Sequence, residues 1–157
     1  MPEEIYPVEL TAPDIEPYRK GNIGIDFVTS FDSGKPGPHV MINAITHGNE
    51  VCGAIALDYL FKANVRPTHG KLTLGFVNHL AYSNFDPDNP GLSRFVDEDF
   101  NRVWTEDRLD GLEVTAELRR ARELRPVFDT VDSVSYTHLR AHETLRYLVC
   151  RLMLEKK

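Results

Sequence analysis

Val40-Met41-Ile42-Asn43-Ala44-Ile45-Thr46-His47-Gly48-Asn49-Glu50 runs a short apolar stretch directly into a polar turn, and that junction decides how the chain folds. Val40 to Ile45 has the composition of a buried strand, and from Glu50 through Leu60 apolar residues recur with a helical period. His47 then lies on the strand exit and Glu50 in the first helical turn, where the two side chains can converge. A neutral imidazole nitrogen and a carboxylate oxygen suit zinc, whose catalytic sites use three protein ligands and keep a position open for water. Two ligands are one short. The same spacing has a plainer reading, an exposed loop histidine beside a Glu that complements the helix dipole.

Working outward, Ser93-Arg94-Phe95-Val96-Asp97-Glu98-Asp99-Phe100-Asn101-Arg102 places two guanidinium groups and a carboxamide in one short irregular segment. Arginine is the side chain that grips a carboxylate with two parallel hydrogen bonds. The alternative is a solvated loop in which Asp97, Glu98 and Asp99 pair with Arg94 and Arg102, an arrangement that contributes little energy. The remaining pattern gives a strand near Ile23 to Thr29, a turn at Gly34-Lys35-Pro36-Gly37 and a strand from His39 to Ile45. A helix from Glu50 to Lys62, a strand from Lys71 to Val77 and a helix from Thr115 to Phe128 follow, the last bent or restarted at Pro126. Strands alternating with helices predict an α/β sheet layered with helices. Neither an internal repeat nor a low-complexity segment interrupts it.

These elements resemble the succinylglutamate desuccinylase and aspartoacylase family of zinc-dependent amidohydrolases, relatives of the zinc carboxypeptidases. The resemblance rests on Gly37-Pro38, on Thr46-His47-Gly48-Asn49-Glu50 with Gly53-Ala54-Ile55-Ala56-Leu57 after it, and on Asn78 at a strand end. Arg94-Phe95-Val96-Asp97 and Asp99-Phe100-Asn101-Arg102-Val103-Trp104 complete it, so that it covers most of residues 22–132. Phe100 stands where the family has Leu, and His79 stands where many members have Pro; His79 reads as a loop residue and not as a ligand. The resemblance implies a mixed β-sheet of zinc carboxypeptidase type, here incomplete. It implies His47 and Glu50 as two of three zinc ligands, Arg94 at the scissile carbonyl, Asn101 and Arg102 on the substrate carboxylate, and Asp99 as a supporting residue. The activity implied is hydrolysis of an amide, or alternatively an ester, in a small acidic N-acyl amino acid or similar compound. A zinc ion, an arginine for the oxyanion and a fixed cation for the substrate form a coherent set for that reaction.

The third ligand and the general base of the family belong to segments beyond Ser133, and the strand expected there does not arrive. Val134-Ser135-Tyr136-Thr137-His138-Leu139-Arg140-Ala141-His142-Glu143-Thr144 matches nothing in the family. The expected organisation is residues 1–133 as the N-terminal part of the catalytic domain and 134–157 as an unrelated tail, resembling read-through from adapter or vector sequence. His138 and His142 share a helix face but lack the Glu between them that zinc proteases use. The Leu145, Leu148, Val149, Leu152 and Met153 stripe suits docking on the chain itself better than a membrane surface. On this reading the chain as written is not a competent hydrolase. A carboxylate-binding protein without catalysis, built on Arg94, Asn101 and Arg102, and an inactive structural fragment are the alternatives.

Charge narrows the partners. The net charge is -6; residues 134–157 hold five of the 18 Lys+Arg and two of the 24 Asp+Glu, which leaves 13 against 22, or -9, on the first 133 residues. Such acidity argues against nucleic-acid and anionic-membrane partners, which need basic surface. Met1-Pro2-Glu3-Glu4-Ile5 does not read as a signal peptide, and two cysteines, Cys52 and Cys150, suggest a reducing, cytoplasmic setting in which Cys52 is a buried inert thiol.

Overall fold

The computed structural model describes residues 9–136, so the histidine pair and apolar stripe of the tail, Cys150 and the first five residues lie outside the described residues. Four strands form one mixed sheet: β1 (Val28–Asp32), β2 (His39–Ala44), β3 (Lys71–Phe76) and β4 (Ser133–Tyr136), in the order β1-β3-β2-β4. β1 runs antiparallel to β3, while β3 and β4 both run parallel to β2. The mixed sheet layered with helices is the fold class expected from the sequence.

β3 is central and buried from Leu72 onward, so its residues serve both faces. The period of two sends Leu72, Leu74 and Phe76, with Ala44 of β2, into a core with Ala54 and Leu57 of helix α1 (Val51–Lys62). Met41 and Val28 point the other way, into a core with Leu118, Ala121, Leu124 and Val127 of helix α4 (Ala116–Phe128). Leu118 and Leu124 are fully buried, positions where truncation to Ala typically removes about 2–5 kcal/mol. Phe100 belongs to this second core and meets Trp104 edge-on, which in turn meets Phe128, so an aromatic fits there without strain. In chain order the short helices α2 (His79–Ser83) and α3 (Glu106–Leu109) come between β3 and α4, Tyr82 of α2 joining the first core and Leu109 of α3 packing against the second.

Four local expectations change. The first strand begins at Val28 and not near Ile23, because residues 21–27 form a tight turn with positive φ at Gly21, Gly24 and Phe27 and a Phe27 N–H bond to the Arg19 carbonyl. Asn22 in that turn bonds both main-chain groups of Ser30 through its side chain, covering part of the free edge of β1. α4 is one helix from Ala116 to Phe128, continuous through Pro126. A further strand does arrive after Asp132: β4 pairs with Val40–Asn43 of β2, and Asp132 anchors its start by exchanging hydrogen bonds with the backbone of His39. Ser-Val-Ser-Tyr carries too little apolar signal to announce a strand whose formation depends on its neighbour.

His79 is the fourth, since it opens α2 instead of lying in a loop. Its half-buried ring packs on Phe27, with centroids 4.5 Å apart. Burial, reinforced by the charges of Arg120 and Arg19, pushes its pKa from 6.5 down to about 4. The unfolded chain therefore binds a proton that the folded chain refuses, so this stabilisation is complete above pH 6.5 and is lost as pH falls toward 4. At most about 3 kcal/mol is involved, less the screening that partial exposure allows. His79→Phe should flatten the loss of urea midpoint between pH 7 and pH 5; an equal loss in the variant would contradict this account. Among the described residues no helix is long and apolar enough to cross a membrane.

Candidate active site

The parallel strands β2 and β3 end side by side, and their pairing continues beyond the strands through Val77 N–H to Ala44 O and Asn78 N–H to Ile45 O. Ligands of open α/β sheets gather outside such carboxyl ends. Here the chain leaves β2 through Ile45, a β-branched residue held at φ 55°, and turns through His47 and Gly48 into α1. A β-branched residue in the left-handed region is a local strain, tolerated where the surroundings over-determine it. Gly48 has no space for a side chain: a Cβ there would collide with the backbone of Ser93 and of Ala81. That close approach lets the Gly48 N–H bond the Arg94 carbonyl at 3.1 Å, joining the His47 turn to the Arg94 loop.

His47 and Glu50 are both buried, 4% and 3% exposed, which excludes the exposed-loop reading of the histidine. Glu50 is the N-cap residue of α1, yet its carboxylate does not cap the helix; Oε1 meets His47 Nδ1 at 2.8 Å. The opposite ring nitrogen, Nε2, meets Asp99 Oδ1 at 3.0 Å. Arg94 Nη2 donates to the other oxygen of Asp99 at 2.8 Å and lies 3.3 Å from His47 Nε2, so Asp99 bridges the Arg94 and His47 side chains. Burial lowers the proton affinity of His47, but its hydrogen bonds to Glu50 and Asp99 outweigh this, against an opposing Arg94, and leave its pKa raised. Asp99 is subject to burial as well, yet its bonds with Arg94, His47 and the Asn101 N–H hold its carboxyl far below the usual range.

Four of the residues singled out in the sequence are thus brought together: His47, Glu50, Arg94 and Asp99. Asn101 and Arg102 follow in a 3-10 turn, Phe100–Arg102, capped by Asp99. Both are exposed, and the Arg102 side chain forms no ion pair among the described residues. The solvated-loop pairing is only partly realised: Arg94 takes Asp99, Glu98 takes Arg108 at 2.9 Å, and Asp97 accepts the Ala116 N–H at the start of α4. Among the described residues no group of three or more His, Cys, Asp or Glu side chains is placed to hold a metal ion.

Glu117 was not legible as a contributor. It is fully buried and accepts the main-chain N–H groups of Val96, Asp97 and Glu98. Arg120, 3% exposed, donates to the carbonyls of Val77, Phe76 and Asp26 and to Glu123. A signal existed. Glu117 and Arg120 occupy the stripe of α4 that also carries Leu124 and Val127, and charged residues on an apolar stripe need partners from elsewhere in the fold.

The sequence model of the succinylglutamate desuccinylase/aspartoacylase catalytic domain matches residues 36–145. Among curated proteins, none matches the sequence. Among solved structures, an aspartoacylase family protein from Mesorhizobium loti is 22% identical with a TM-score of 0.55, covering 77% of this chain and 38% of its own. The succinylglutamate desuccinylase from Chromobacterium violaceum is 19% identical with a TM-score of 0.52, covering 71% of this chain and 35% of its own. The chain therefore spans little more than a third of the length of either, and at these identities the likeness concerns the fold. With the family domain matched over most of its residues and the same fold in both structures, this chain belongs to the succinylglutamate desuccinylase/aspartoacylase family.

Proposed function

We propose that this chain supplies one wall of the active site of a zinc-dependent deacylase acting on a small acidic N-acyl amino acid. The observation that carries the reading is the buried His47 imidazole held between two carboxylates, Glu50 on Nδ1 and Asp99 on Nε2. A ligating histidine that gives its far N–H to a carboxylate is oriented and made more basic by it. If Nε2–H goes to Asp99, the Nδ1 lone pair and a Glu50 oxygen face one another, a donor set suited to zinc. His47 and Glu50 would hold the ion, and a third ligand would come from outside the described residues. When bound, zinc supplies Lewis acidity toward a carbonyl and acidifies water.

The chain's own side chains define the rest. Arg94, half-exposed and fixed by Asp99, offers positive charge beside His47 for an oxygen that becomes anionic. Asn101 and Arg102, exposed on the adjoining turn, suit the substrate carboxylate. A chimera keeping residues 1–136, and so β4, with the continuation taken from the Mesorhizobium loti relative, should release free amine from N-acyl amino acids, preferring acidic ones, and lose that activity with chelator. Carboxylate binding without turnover would instead favour a binding protein and contradict the proposal.

A further inference from the structure

Glu117 has no part in the chemistry just described, yet its carboxylate joins both limbs of the site. Its side chain is 0% exposed, and an ion buried so deeply needs full compensation by hydrogen bonds. One oxygen accepts the Val96 N–H at 2.7 Å, and the other accepts those of Asp97 at 3.0 Å and Glu98 at 3.3 Å. Three successive amides turned toward one anion form a nest, and this nest is the stretch that separates Arg94 from Asp99. On the opposite side Asn78 Nδ2, at the end of β3, lies 3.4 Å from both Glu117 Oε1 and the Thr46 carbonyl, immediately before His47.

Helix packing does not require this carboxylate, because an apolar side chain would complete the stripe formed by Leu124 and Val127. Buried charge is weak evidence for stability, and its best-attested use is to select one geometry. The loop needs such selection. Asp97, Glu98 and Asp99 are three consecutive acids, and each must point to a different partner: the α4 N-terminus, Arg108 and His47.

We propose that Glu117 is a positioning residue that sets Asp99 and Arg94 against His47 by gripping the backbone of Val96, Asp97 and Glu98. The proposal rests on reading His47 as the centre of the site, but its test involves neither metal nor substrate. Failure here therefore leaves the zinc reading standing, and failure of zinc uptake leaves this one standing.

The experiment uses the full chain, isotope-labelled, and follows the His47 ring nitrogens and main-chain hydrogen exchange by NMR. Glu117→Gln exchanges an accepting oxygen for a donor that opposes the loop amides. Exchange at Val96, Asp97 and Glu98 should accelerate about 10- to 100-fold relative to β3, the range expected for losing charge-assisted hydrogen bonds, and the His47 Nε2 resonance should shift as its bond to Asp99 loosens. Leu118→Ala removes contacts of the second core, Phe100 included, from the next residue on α4 but keeps the Glu117 bonds to the loop amides, and should leave the His47 signal in place despite lower stability. Should Glu117→Gln not fold, Glu117→Asp, shorter by one methylene and still charged, should give the same His47 shift. An unchanged His47 signal in the Glu117 variant that folds, or an equal shift in Leu118→Ala, overturns the proposal.

Discussion

Gly48→Ala should lower stability by about 3 kcal/mol or more, at the upper end of overpacking effects, because the added methyl has nowhere to go. The limitation is space. On one side of the position lies the Ser93 carbonyl and on the other the backbone of Ala81, and neither can swing aside as a flexible side chain would. Relief requires the His47 turn to withdraw from the Arg94 loop, which breaks the Gly48 N–H bond to the Arg94 carbonyl and separates His47 from Asp99. A domain of this size has a total stability of only about 5–15 kcal/mol, so the variant should unfold at markedly lower urea. Gly91→Ala is the control, with open space around its Cβ, and should be close to neutral. A wild-type urea midpoint for Gly48→Ala would show that the turn does not pack as described.

Arg94→Ala in the extended chimera should reduce kcat about 10²- to 10³-fold, the usual consequence of removing one donor to a developing oxyanion. The argument is that Asp99 fixes the guanidinium within 3.3 Å of His47 Nε2, so its charge is in place before the reaction begins. Arg102→Lys should act differently. It keeps the charge but loses the planar fork, and so should mainly raise KM for a carboxylate-bearing substrate. An Arg94→Ala enzyme altered in KM alone would contradict the role given to Arg94.

The parts of this fold legible in the sequence are those specified locally. β2, α1 and β3 each carry a periodic apolar pattern over six or more residues, and they form where that pattern lies. β1 was displaced because the apolar residues Ile23, Ile25 and Phe27 belong to a turn, and the positive φ of Phe27 cannot be read from a residue type that disfavours it. β4 depends on β2 for its hydrogen bonds and shows almost no pattern of its own. In the site, the His47–Glu50 contact was legible because the residues are three apart at a strand exit. The His47–Asp99 bond spans 52 positions and exists only because two loops are pressed together at Gly48. Glu117 escaped notice for a related reason: its partners are backbone amides about 20 residues away, and main-chain donors leave no trace in a sequence.

The central claim is that His47 and Glu50 form part of a zinc site, and metal content after dialysis tests it most directly. It should be measured on the chimera that keeps residues 1–136, whose continuation supplies the third ligand and replaces His138 and His142, so that neither contributes an accidental ligand. Zinc should then be retained by the protein with His47 intact and lost from His47→Ala. Equal zinc retention by the two proteins would contradict the account.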